Sequence, residues 1–598
     1  MEPNVQIERR ESGELILTSG YALDSLPKSL AQIMVERVQA HPSRSIICEK
    51  SSTGEFESLS YGDAHQRAMG VATHLLAQGA NEQTPLMILS GASRVHFILQ
   101  LGALYARVPV VPVSISYTTV EPAFSKFRAV FDKTQPKYLF AESFDLHEEA
   151  LNASDISLND VSLWSVARSE IGAREITELD SLLALVDEAA VEASIQAITH
   201  NTVAKYMFTS GSTGMPKGVI HNHGMMCALI AAQKMLREIS DDLAPVVLDW
   251  MPWSHVGAGQ MRLFGTIAQG GTIYLDDGKP TAADYPKTLA NLRKVSITGY
   301  AGAPLGWSML VAALEGDEAL AEQFFANLQT LQYGSAAMPT STYERLQTLL
   351  VKYQGARKTM STSLMSTEVA LGLSRYWPCE DQTVVGLPMP GSCFKLVPVA
   401  DRYEIRAKSL GVTPGYINDA EKTRDAFDEE GFFRMGDAVT FADPERPEAG
   451  LRFAGRIAEQ FKMTTGAWVS AGTLRAQLVA ALAPIARDVV IGGLNQSYIA
   501  IMIWLNEPQE VDAGPADRAL VDDQTLEEIR ILLRKHNDAN PASSQRVDRF
   551  LIMAEPANIG AGEVTDKGYV NQGAVLSRRS QLLDRLYDES LTEGVYPV

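Results

Sequence analysis

The sequence predicts an α/β protein with a large N-terminal domain, whose parallel-rich sheets are flanked by helices, and a small α+β C-terminal domain. Short apolar runs alternate with amphipathic helices, a pattern typical of βαβ units. The chain has 598 residues, more than a single hydrophobic core usually serves. After Cys393 the pattern changes to shorter β-like runs. We place the boundary after the strand-like run 451–453, which gives domains of 1–454 and 455–598.

The composition excludes several classes of protein. The formal net charge is −20, which argues against a protein that binds nucleic acid or an anionic membrane through a basic surface. The four cysteines match no zinc-ligand spacing and indicate a reducing, cytoplasmic compartment. No apolar run reaches the roughly 18 residues of a membrane span, and the first twenty residues lack the apolar core of a signal peptide.

Residues 1–40 are interpreted as a polar lead-in followed by a helix, after which helices and strands alternate. Ser60 and Asp63 make a capping-box-like start for the second helix. Residues 141–200 are acidic and weakly patterned, and we interpret them as a helical surface excursion. The predicted helices are 30–39, 60–79, 94–106 and 120–131, and the predicted strands are 45–48, 86–89, 108–113 and 138–140.

The alternation resumes after residue 200. His255, Tyr300 and Tyr333 all fall where predicted strands end. Because ligands of open α/β sheets bind at the carboxyl ends of strands, we expect a site at this edge. The predicted strands are 204–208, 246–248, 272–275, 297–300 and 328–333, and the predicted helices are 225–236, a segment ending at 268, and 288–294.

The loop TSGSTGMPKG, from Thr209 to Gly218, is the centre of the predicted site. Its glycines leave the backbone exposed, and its hydroxyl and N–H groups suit phosphate oxygens. It is not a Walker A sequence, because Pro-Lys-Gly stands where Gly-Lys-Ser/Thr would be required. The predicted phosphate-binding residues are Thr209, Ser210, Gly211, Ser212, Thr213, Gly214 and Lys217.

This loop closely resembles the phosphate loop of the adenylate-forming enzymes, the superfamily of acyl-CoA synthetases, luciferases and peptide-synthetase adenylation domains. Further segments match in the expected order. Thr367 and Glu368 resemble the pair that positions Mg²⁺ on ATP. Asp437 resembles the carboxylate that binds both ribose hydroxyls, and Arg456 the hinge residue that contacts the nucleotide. Lys567 resembles the adenylation lysine, whose ammonium would bridge the substrate carboxylate and the α-phosphate.

The resemblance also implies an acid pocket and a CoA loop. His255 matches the histidine of the acyl pocket wall, and a buried structural histidine is the open alternative. The implied acid pocket comprises His255, Tyr300, Ala301, Gly302, Tyr333 and Leu364. Adenine is expected beside Gly334, Ser335 and Ala336, and the loop for thioester formation carries Lys462, Gly466 and Trp468.

Within the superfamily the chain most resembles feruloyl-CoA synthase-like aryl-CoA ligases, over nearly its whole length. The stretches that carry this are 88–114, 250–255, 455–462, 465–470 and 565–572. Two departures stand out. Ala458 occupies a hinge position that is often Asp or Lys, and Leu364-Met365 stands where an aromatic residue and a glycine are usual, so that aromatic stacking on adenine would be lost.

The resemblance therefore implies a ligase that adenylates an aromatic or arylalkyl carboxylic acid with ATP and Mg²⁺. It would then transfer the acyl group to coenzyme A, with the small domain moving as a lid about a hinge at 455–458. Three alternatives stay open: delivery of the acyl group to a carrier protein, a medium-chain fatty acid as substrate, and an inactive nucleotide-binding regulator. The expected partners are the small-molecule acid, ATP and CoA, without nucleic acid, and a homodimer is an open alternative.

Overall fold

The architecture comes from a computed structural model, which describes residues 1–23, 25–166, 174–210, 215–237, 244–483, 485–506, 510–511, 519–558, 561–564, 570–588, 590 and 594–598. Over these residues, two large sheets with their helices form a mixed α/β domain, and a four-stranded sheet forms the centre of a smaller C-terminal domain. Within this described part, no helix is both long and apolar enough to cross a bilayer.

The first large sheet has seven strands among the described residues, and most of its pairs are parallel. Its antiparallel member is the hairpin formed by Val203–Ser210 and Pro216–Asn222, which holds the two ends of the glycine-rich loop. In spatial order the strands are Pro216–Asn222, Val203–Ser210, Val110–Pro112, Leu86–Leu89, Tyr138–Ala141, Ser162–Ser165 and Ile176–Glu178.

The interpretation of 141–200 as a surface excursion was wrong in part. Ser162–Ser165 and Ile176–Glu178 extend the seven-stranded sheet in parallel, and Trp164 is fully buried. The polar lead-in was also wrong in part, since Val5–Arg9 and Leu15–Ser19 pair as strands. All four segments have three to five residues, and polar residues interrupt each of them. They therefore lack the continuous apolar run that marks 86–89 and 138–140, and they are too short for an alternating pattern to show.

The second large sheet has fifteen strands among the described residues. Its central strands are parallel and follow the predicted alternation, whereas the strands on either side are antiparallel. The central strands in spatial order are Ser45–Lys50, Thr272–Leu275, Val246–Asp249, Gly299–Gly302, Thr330–Tyr333 and Met360–Leu364. The flanking strands are Phe56–Ser60 on one side and, on the other, Leu373–Arg375, Val384–Pro388, Leu451–Arg456, Phe433–Phe441, Arg402–Lys408, Cys393–Val399, Leu15–Ser19 and Val5–Arg9.

Helices cover the sheets and bury apolar faces against them. The helix Arg94–Tyr105 is buried along almost its whole length, and Ser60 caps the helix Tyr61–Ala77 as predicted. The predicted helix 120–131 is a 3₁₀ turn at Glu121–Ala123 followed by Phe124–Thr134. The other α-helices of the large domain are Leu30–Ala40, Ser116–Thr119, Glu148–Ala153, Leu179–Leu183, Glu188–Ala197, His223–Arg237, Leu263–Ala268, Tyr285–Lys294, Pro304–Gly316, Glu318–Phe325, Thr340–Gln354 and Ala420–Ala426.

The strand Leu451–Arg456 belongs to the fifteen-stranded sheet and runs through the predicted boundary at 454. A 3₁₀ turn, Ile457–Glu459, leads from it into the C-terminal part. The strands there are the hairpin Gln460–Lys462 and Trp468–Ser470, the pair Glu510–Val511 and Ala519–Leu520, and the sheet strands Ala486–Gly492, Ile499–Leu505, Val547–Ile552 and Tyr596–Pro597. The helices are Ala471–Ala481, Asp523–Ala539, Gln572–Arg578 and Ser580–Tyr587.

Candidate active site

A cavity of about 1780 Å³ opens where the central parallel strands end. Most of its wall comes from the large domain, and Arg487 and Asn506 of the C-terminal part also line it. The sequence-predicted residues that line it are His255, Tyr300, Ala301, Gly302, Tyr333, Gly334, Ser335 and Thr367. These residues are far apart in the chain, and the sheet brings them together at one edge.

Leu364 is a predicted pocket residue that the structure places elsewhere. It packs against an apolar cluster that includes Leu373 and Val369. Its neighbours Ser363 and Met365 line the cavity instead. Leu364 is the last residue of its strand and the register partner of Leu373 in the antiparallel neighbour, so its side chain packs with the cluster around Leu373.

The glycine-rich loop is described only at its two ends. Thr209 pairs with Lys217 and Ser210 with Pro216 in the hairpin register, whereas Gly211, Ser212, Thr213 and Gly214 lie outside the described residues. Gly218 is required by packing, because a Cβ there would stand 2.5 Å from Ile417 and 2.9 Å from the Phe208 ring. This close approach brings the segment containing Tyr416 alongside the loop.

Tyr416 joins two predicted site residues, and sequence reasoning missed it. Its hydroxyl donates to Glu368 Oε1 at 3.0 Å, and Lys217 Nζ lies 5.8 Å from the centre of its ring. Burial, followed by the charge of Glu368, raises the pKa of Tyr416. The ammonium, the phenol and the carboxylate thus lie in one row beside the loop. A tyrosine after a glycine carries no signal of such a role in the sequence.

Asp437 and Arg456 face each other on adjacent strands. They are register partners, with Arg456 Nε 3.6 Å from Asp437 Oδ1, and the Asp437 side chain is 7% exposed. Burial raises the pKa of Asp437 to about 6, Arg456 opposes this, and the charges of Glu459 and Glu368 add to it. A buried carboxylate with acceptor oxygens of this kind suits a ligand with hydroxyl donors.

The segment 334–336 has an unusual backbone. A Cβ on Gly334 would meet nothing within 4 Å, and Ser335 has a positive φ of 74°. Holding a non-glycine residue in this region costs free energy, and such residues cluster at active sites and ligand clamps. Gly334 N–H donates to Gly302 O at 3.4 Å, so that the ends of two neighbouring strands are joined at the cavity. A flat group could rest on the open side of Gly334.

His255 begins the wall formed by the segment 255–268. Its Nδ1 accepts from Gly257 N–H at 3.1 Å, so that in the neutral ring the proton lies on Nε2. A π-helical turn, Gly257–Arg262, follows and leads into the helix Leu263–Ala268. Such turns are frequent at functional sites.

Lys205 supports this turn from beneath and was also missed. The side chain is fully buried, its Nζ donates to Gly259 O at 2.7 Å, and it lies 5.1 Å from the centre of the Phe264 ring. Burial lowers the pKa of Lys205 to about 7. A single lysine within an apolar strand gives no sequence signal of this contact.

The predicted residues of the C-terminal part do not line the cavity in the described structure. Lys462 pairs with Trp468 in a short hairpin, Trp468 is 47% exposed, and Gly466 has a positive φ of 87° in the turn. Lys567 lies outside the described residues. Just before it, buried Glu563 forms an ion pair with Arg579 at 2.8 Å.

Comparison with known proteins identifies the family. A family model described as AMP-binding enzyme matches residues 34–417. The chain belongs to this family. Its predicted membership of the adenylate-forming superfamily is therefore confirmed, and the predicted enzyme class, an AMP-forming acid–CoA ligase, is supported by ligases among its relatives.

The chain is 24% identical over 397 residues to 3-[(3aS,4S,7aS)-7a-methyl-1,5-dioxo-octahydro-1H-inden-4-yl]propanoyl:CoA ligase of Rhodococcus jostii RHA1, covering 64% of this chain and 72% of that protein. It is 23% identical to a carboxylic acid reductase of Mycobacterium marinum, over 89% of this chain and 47% of the reductase. A long-chain-fatty-acid–CoA ligase 2 of Schizosaccharomyces pombe is 23% identical over 78% of this chain and 75% of that ligase. None of these three is named a feruloyl-CoA synthase, so that finer resemblance stays a prediction.

Solved structures confirm the fold. The McyG A-PCP structure with phenylalanyl-adenylate superimposes with a TM-score of 0.73 and 16% identity, over 95% of this chain and 99% of that one. The A domain of a Segniliparus rugosus carboxylic acid reductase, with AMP and a carboxylic acid, gives a TM-score of 0.70 and 19% identity over 94% and 95% of the two chains. The predicted large α/β domain and smaller C-terminal domain are therefore confirmed.

Proposed function

We propose that this protein is an ATP-dependent acid–CoA ligase that adenylates an aromatic or arylalkyl carboxylic acid and passes the acyl group to coenzyme A. The observation that carries the proposal is the row formed by Lys217, Tyr416 and Glu368 beside the glycine-rich loop, with Asp437 close enough to feel the charge of Glu368. Thr367, next to Glu368 in the chain, lines the cavity. Lys217 supplies a cation that can bind phosphates. Glu368 supplies a carboxylate for a metal ion, and Asp437 supplies one for a ribose.

Activation is needed because a carboxylate is a poor electrophile. In the proposed first step, a carboxylate oxygen of the acid attacks the α-phosphorus of ATP, which gives the acyl adenylate and releases pyrophosphate. Lys217 and the 209–214 loop hold the phosphates, and Asp437 and Arg456 hold the nucleoside. Lys567 stabilises the negative charge that gathers between carboxylate and α-phosphate in the transition state.

The residues present fit Mg²⁺ bound mainly through the nucleotide. No group of three or more His, Cys, Asp or Glu side chains within the described ranges could hold a metal by itself. Mg²⁺ usually takes one or two carboxylates and completes its shell with water and substrate phosphates. Glu368, with Thr367 beside it, would supply the protein ligand, and the ion would offset phosphate charge.

In the proposed second step, the CoA thiolate attacks the acyl carbon and AMP leaves with the bonding electron pair. His255 lies in the wall where the thiol would enter. The domain division at 454/455 and rotation about 455–458 are part of the proposal. The rotation would exchange the Lys567 segment for the 462–469 hairpin, whose Trp468 is exposed in the described structure.

The test is acid-dependent release of pyrophosphate from ATP and Mg²⁺, with and without CoA, over cinnamates, benzoates, arylpropionates and medium-chain fatty acids. We expect release with an aryl acid and a thioester identified by mass when CoA is present. Aryl acids that stay silent while fatty acids react would overturn the aryl assignment. ATP binding without any acid-dependent release would favour the inactive regulator.

A second candidate is an adenylating enzyme that delivers the acyl group to a carrier protein. Carboxylic acid reductases match 89% of this chain, and the McyG structure combines an adenylation domain with a carrier domain. Pyrophosphate release that CoA does not accelerate, with no acyl-CoA product, would favour this candidate.

A further inference from the structure

One ion pair in the cavity wall has no part in the proposed nucleotide chemistry. Arg262 Nη1 lies 2.6 Å from Asp249 Oδ1, and the two side chains are 17% and 3% exposed. Asp249 ends a central strand, Arg262 ends the π-helical turn, and both line the cavity. The pair therefore presents charged atoms to whatever fills this part of the cavity.

The pair retains hydrogen-bonding capacity on both partners. Asp249 Oδ1 accepts from Arg262 and, at 3.1 Å, from Met251 N–H, whereas Oδ2 accepts no hydrogen bond from the described residues. A guanidinium carries five N–H donors. Among the described residues, the guanidinium of Arg262 donates to Asp249, which leaves further N–H groups for a ligand. Acceptor and donor atoms therefore stand side by side.

The opposite charges of Arg262 and Asp249 determine which functional group of a ligand fits beside the pair. Because Asp249 neutralises Arg262, a second carboxylate would gain attraction from one partner and repulsion from the other. A ketone would accept from the guanidinium but give nothing to Asp249 Oδ2. A hydroxyl group satisfies both, since it donates to the carboxylate and accepts from the guanidinium.

The position suits the far end of an acid. The strand ending at Asp249 is separated from Thr330–Tyr333 by one intervening strand, Gly299–Gly302, so their ends lie two strand spacings, roughly 10 Å, apart. With the reacting carboxylate near Gly334, where the nucleotide is expected, an aryl acid is long enough for its opposite end to reach the ion pair across the cavity that both sites line. Tyr300 lines the wall between them and is 7% exposed.

We propose that Arg262 and Asp249 read a hydroxyl group at the end of the acid remote from its carboxylate, so that the substrate is a hydroxylated acid. This rests on the proposed function for the identity of the reaction. A polar site of this kind disfavours the analogue that lacks the hydroxyl, because its own hydrogen-bonding groups are then left unpaired.

The experiment compares twin acids that differ only in a terminal hydroxyl or methyl group, on cinnamate, phenylpropionate and medium-chain scaffolds. Acid-dependent pyrophosphate release gives kcat/KM for each twin, and the thermal shift caused by each acid with AMP reports binding without turnover. We expect the hydroxyl twin to be preferred on the order of 10- to 100-fold. Equal kcat/KM and equal thermal shifts for the twins would overturn the proposal.

The test variant is R262L/D249L, which removes both charges together and so leaves no unpaired buried ion. We expect its hydroxyl-to-methyl ratio to fall to about one or to invert, whereas a preserved ratio would contradict the proposal. The matched control is R345L/E315L, which removes an exposed ion pair between two helices and should keep the wild-type ratio. Since the ratio is measured with and without CoA, failure of the CoA-ligase proposal would leave it readable.

Discussion

Replacing Lys205 with methionine should stabilise the protein at low pH, although it removes a hydrogen bond. Lysine ordinarily has a pKa of 10.5, and burial lowers that of Lys205 to about 7, a difference worth about 5 kcal/mol at 1.36 kcal/mol per pKa unit. Below pH 7 the buried Lys205 is protonated, so the free energy of unfolding is lowered by this whole amount. The variant forfeits the bond to Gly259 O, which contributes about 1.5–3 kcal/mol. The net gain at pH 6 is therefore about 2–3 kcal/mol.

The gain should disappear as the pH rises. Between pH 7 and 10.5 the unfolded chain binds the lysine proton and the folded protein does not, so wild-type stability increases with pH. At pH 9 the remaining cost is about 2 kcal/mol, which the lost hydrogen bond offsets. His96 and His221 lie close enough to feel the charge of Lys205, and burial lowers the pKa of each to about 3, so both histidines stay neutral throughout this range.

The assay is the melting temperature of the full chain from pH 6 to 9. A domain of this size makes each kcal/mol worth about 1 °C, so we expect K205M to melt roughly 2–3 °C above wild type at pH 6 and level with it at pH 9. K137M, at an exposed lysine before the strand Tyr138–Ala141, is the control and should follow wild type. Parallel curves for K205M and wild type, or a K205M protein destabilised at every pH, would refute the reasoning.

Three further predictions concern the nucleotide side of the cavity. Y416F removes the hydrogen bond to Glu368, and we expect acid-dependent pyrophosphate release to fall about 10-fold; an unchanged rate would exclude Tyr416 from the adenylation step. G218A forces a Cβ to within 2.5 Å of a neighbouring side chain and should destabilise by about 1–3 kcal/mol, whereas G316A, where a Cβ meets nothing, should not lower the melting temperature. The pKa of Asp437 is raised to about 6, so its carboxylate is lost below that pH. The KM for ATP should rise from pH 7.5 to 5.5 in wild type and stay flat, at a higher value, in D437N.

The sequence predicts those parts of the fold that have long, periodic patterns. The central strands and the helix capped by Ser60 are examples, because apolar spacing and capping chemistry are local properties. Ser162–Ser165 was missed because its two apolar residues stand between serines and form neither a continuous apolar run nor a visible alternation. Leu364 was misplaced because a residue's strand face depends on register, which a motif does not state.

The site shows the same division. The motifs predict which segments surround the cavity, since a phosphate loop or a ribose carboxylate has a local signature. Lys205 and Arg262 have no such signature, because their roles depend on contacts with Gly259 and Asp249 that only the folded chain brings about. A lysine in a strand or an arginine in a helix is common in any protein, so neither residue alone indicates a role at a site.

The pairing of the first strands has a consequence for synthesis on the ribosome. Leu15–Ser19 joins the N-terminal hairpin to its sheet by pairing with Cys393–Val399, a partner that is translated hundreds of residues later. At roughly 5–20 residues per second the wait is on the order of 20–75 s. Val5–Arg9 can pair with one edge of this apolar strand at once, but the other edge keeps unpaired backbone groups during that time, which is the condition that favours association between nascent chains. The yield of folded protein should therefore depend on how fast the chain up to Val399 is translated, or on a chaperone that covers the first twenty residues until then. These residues do not line the described cavity, yet they should affect the yield strongly.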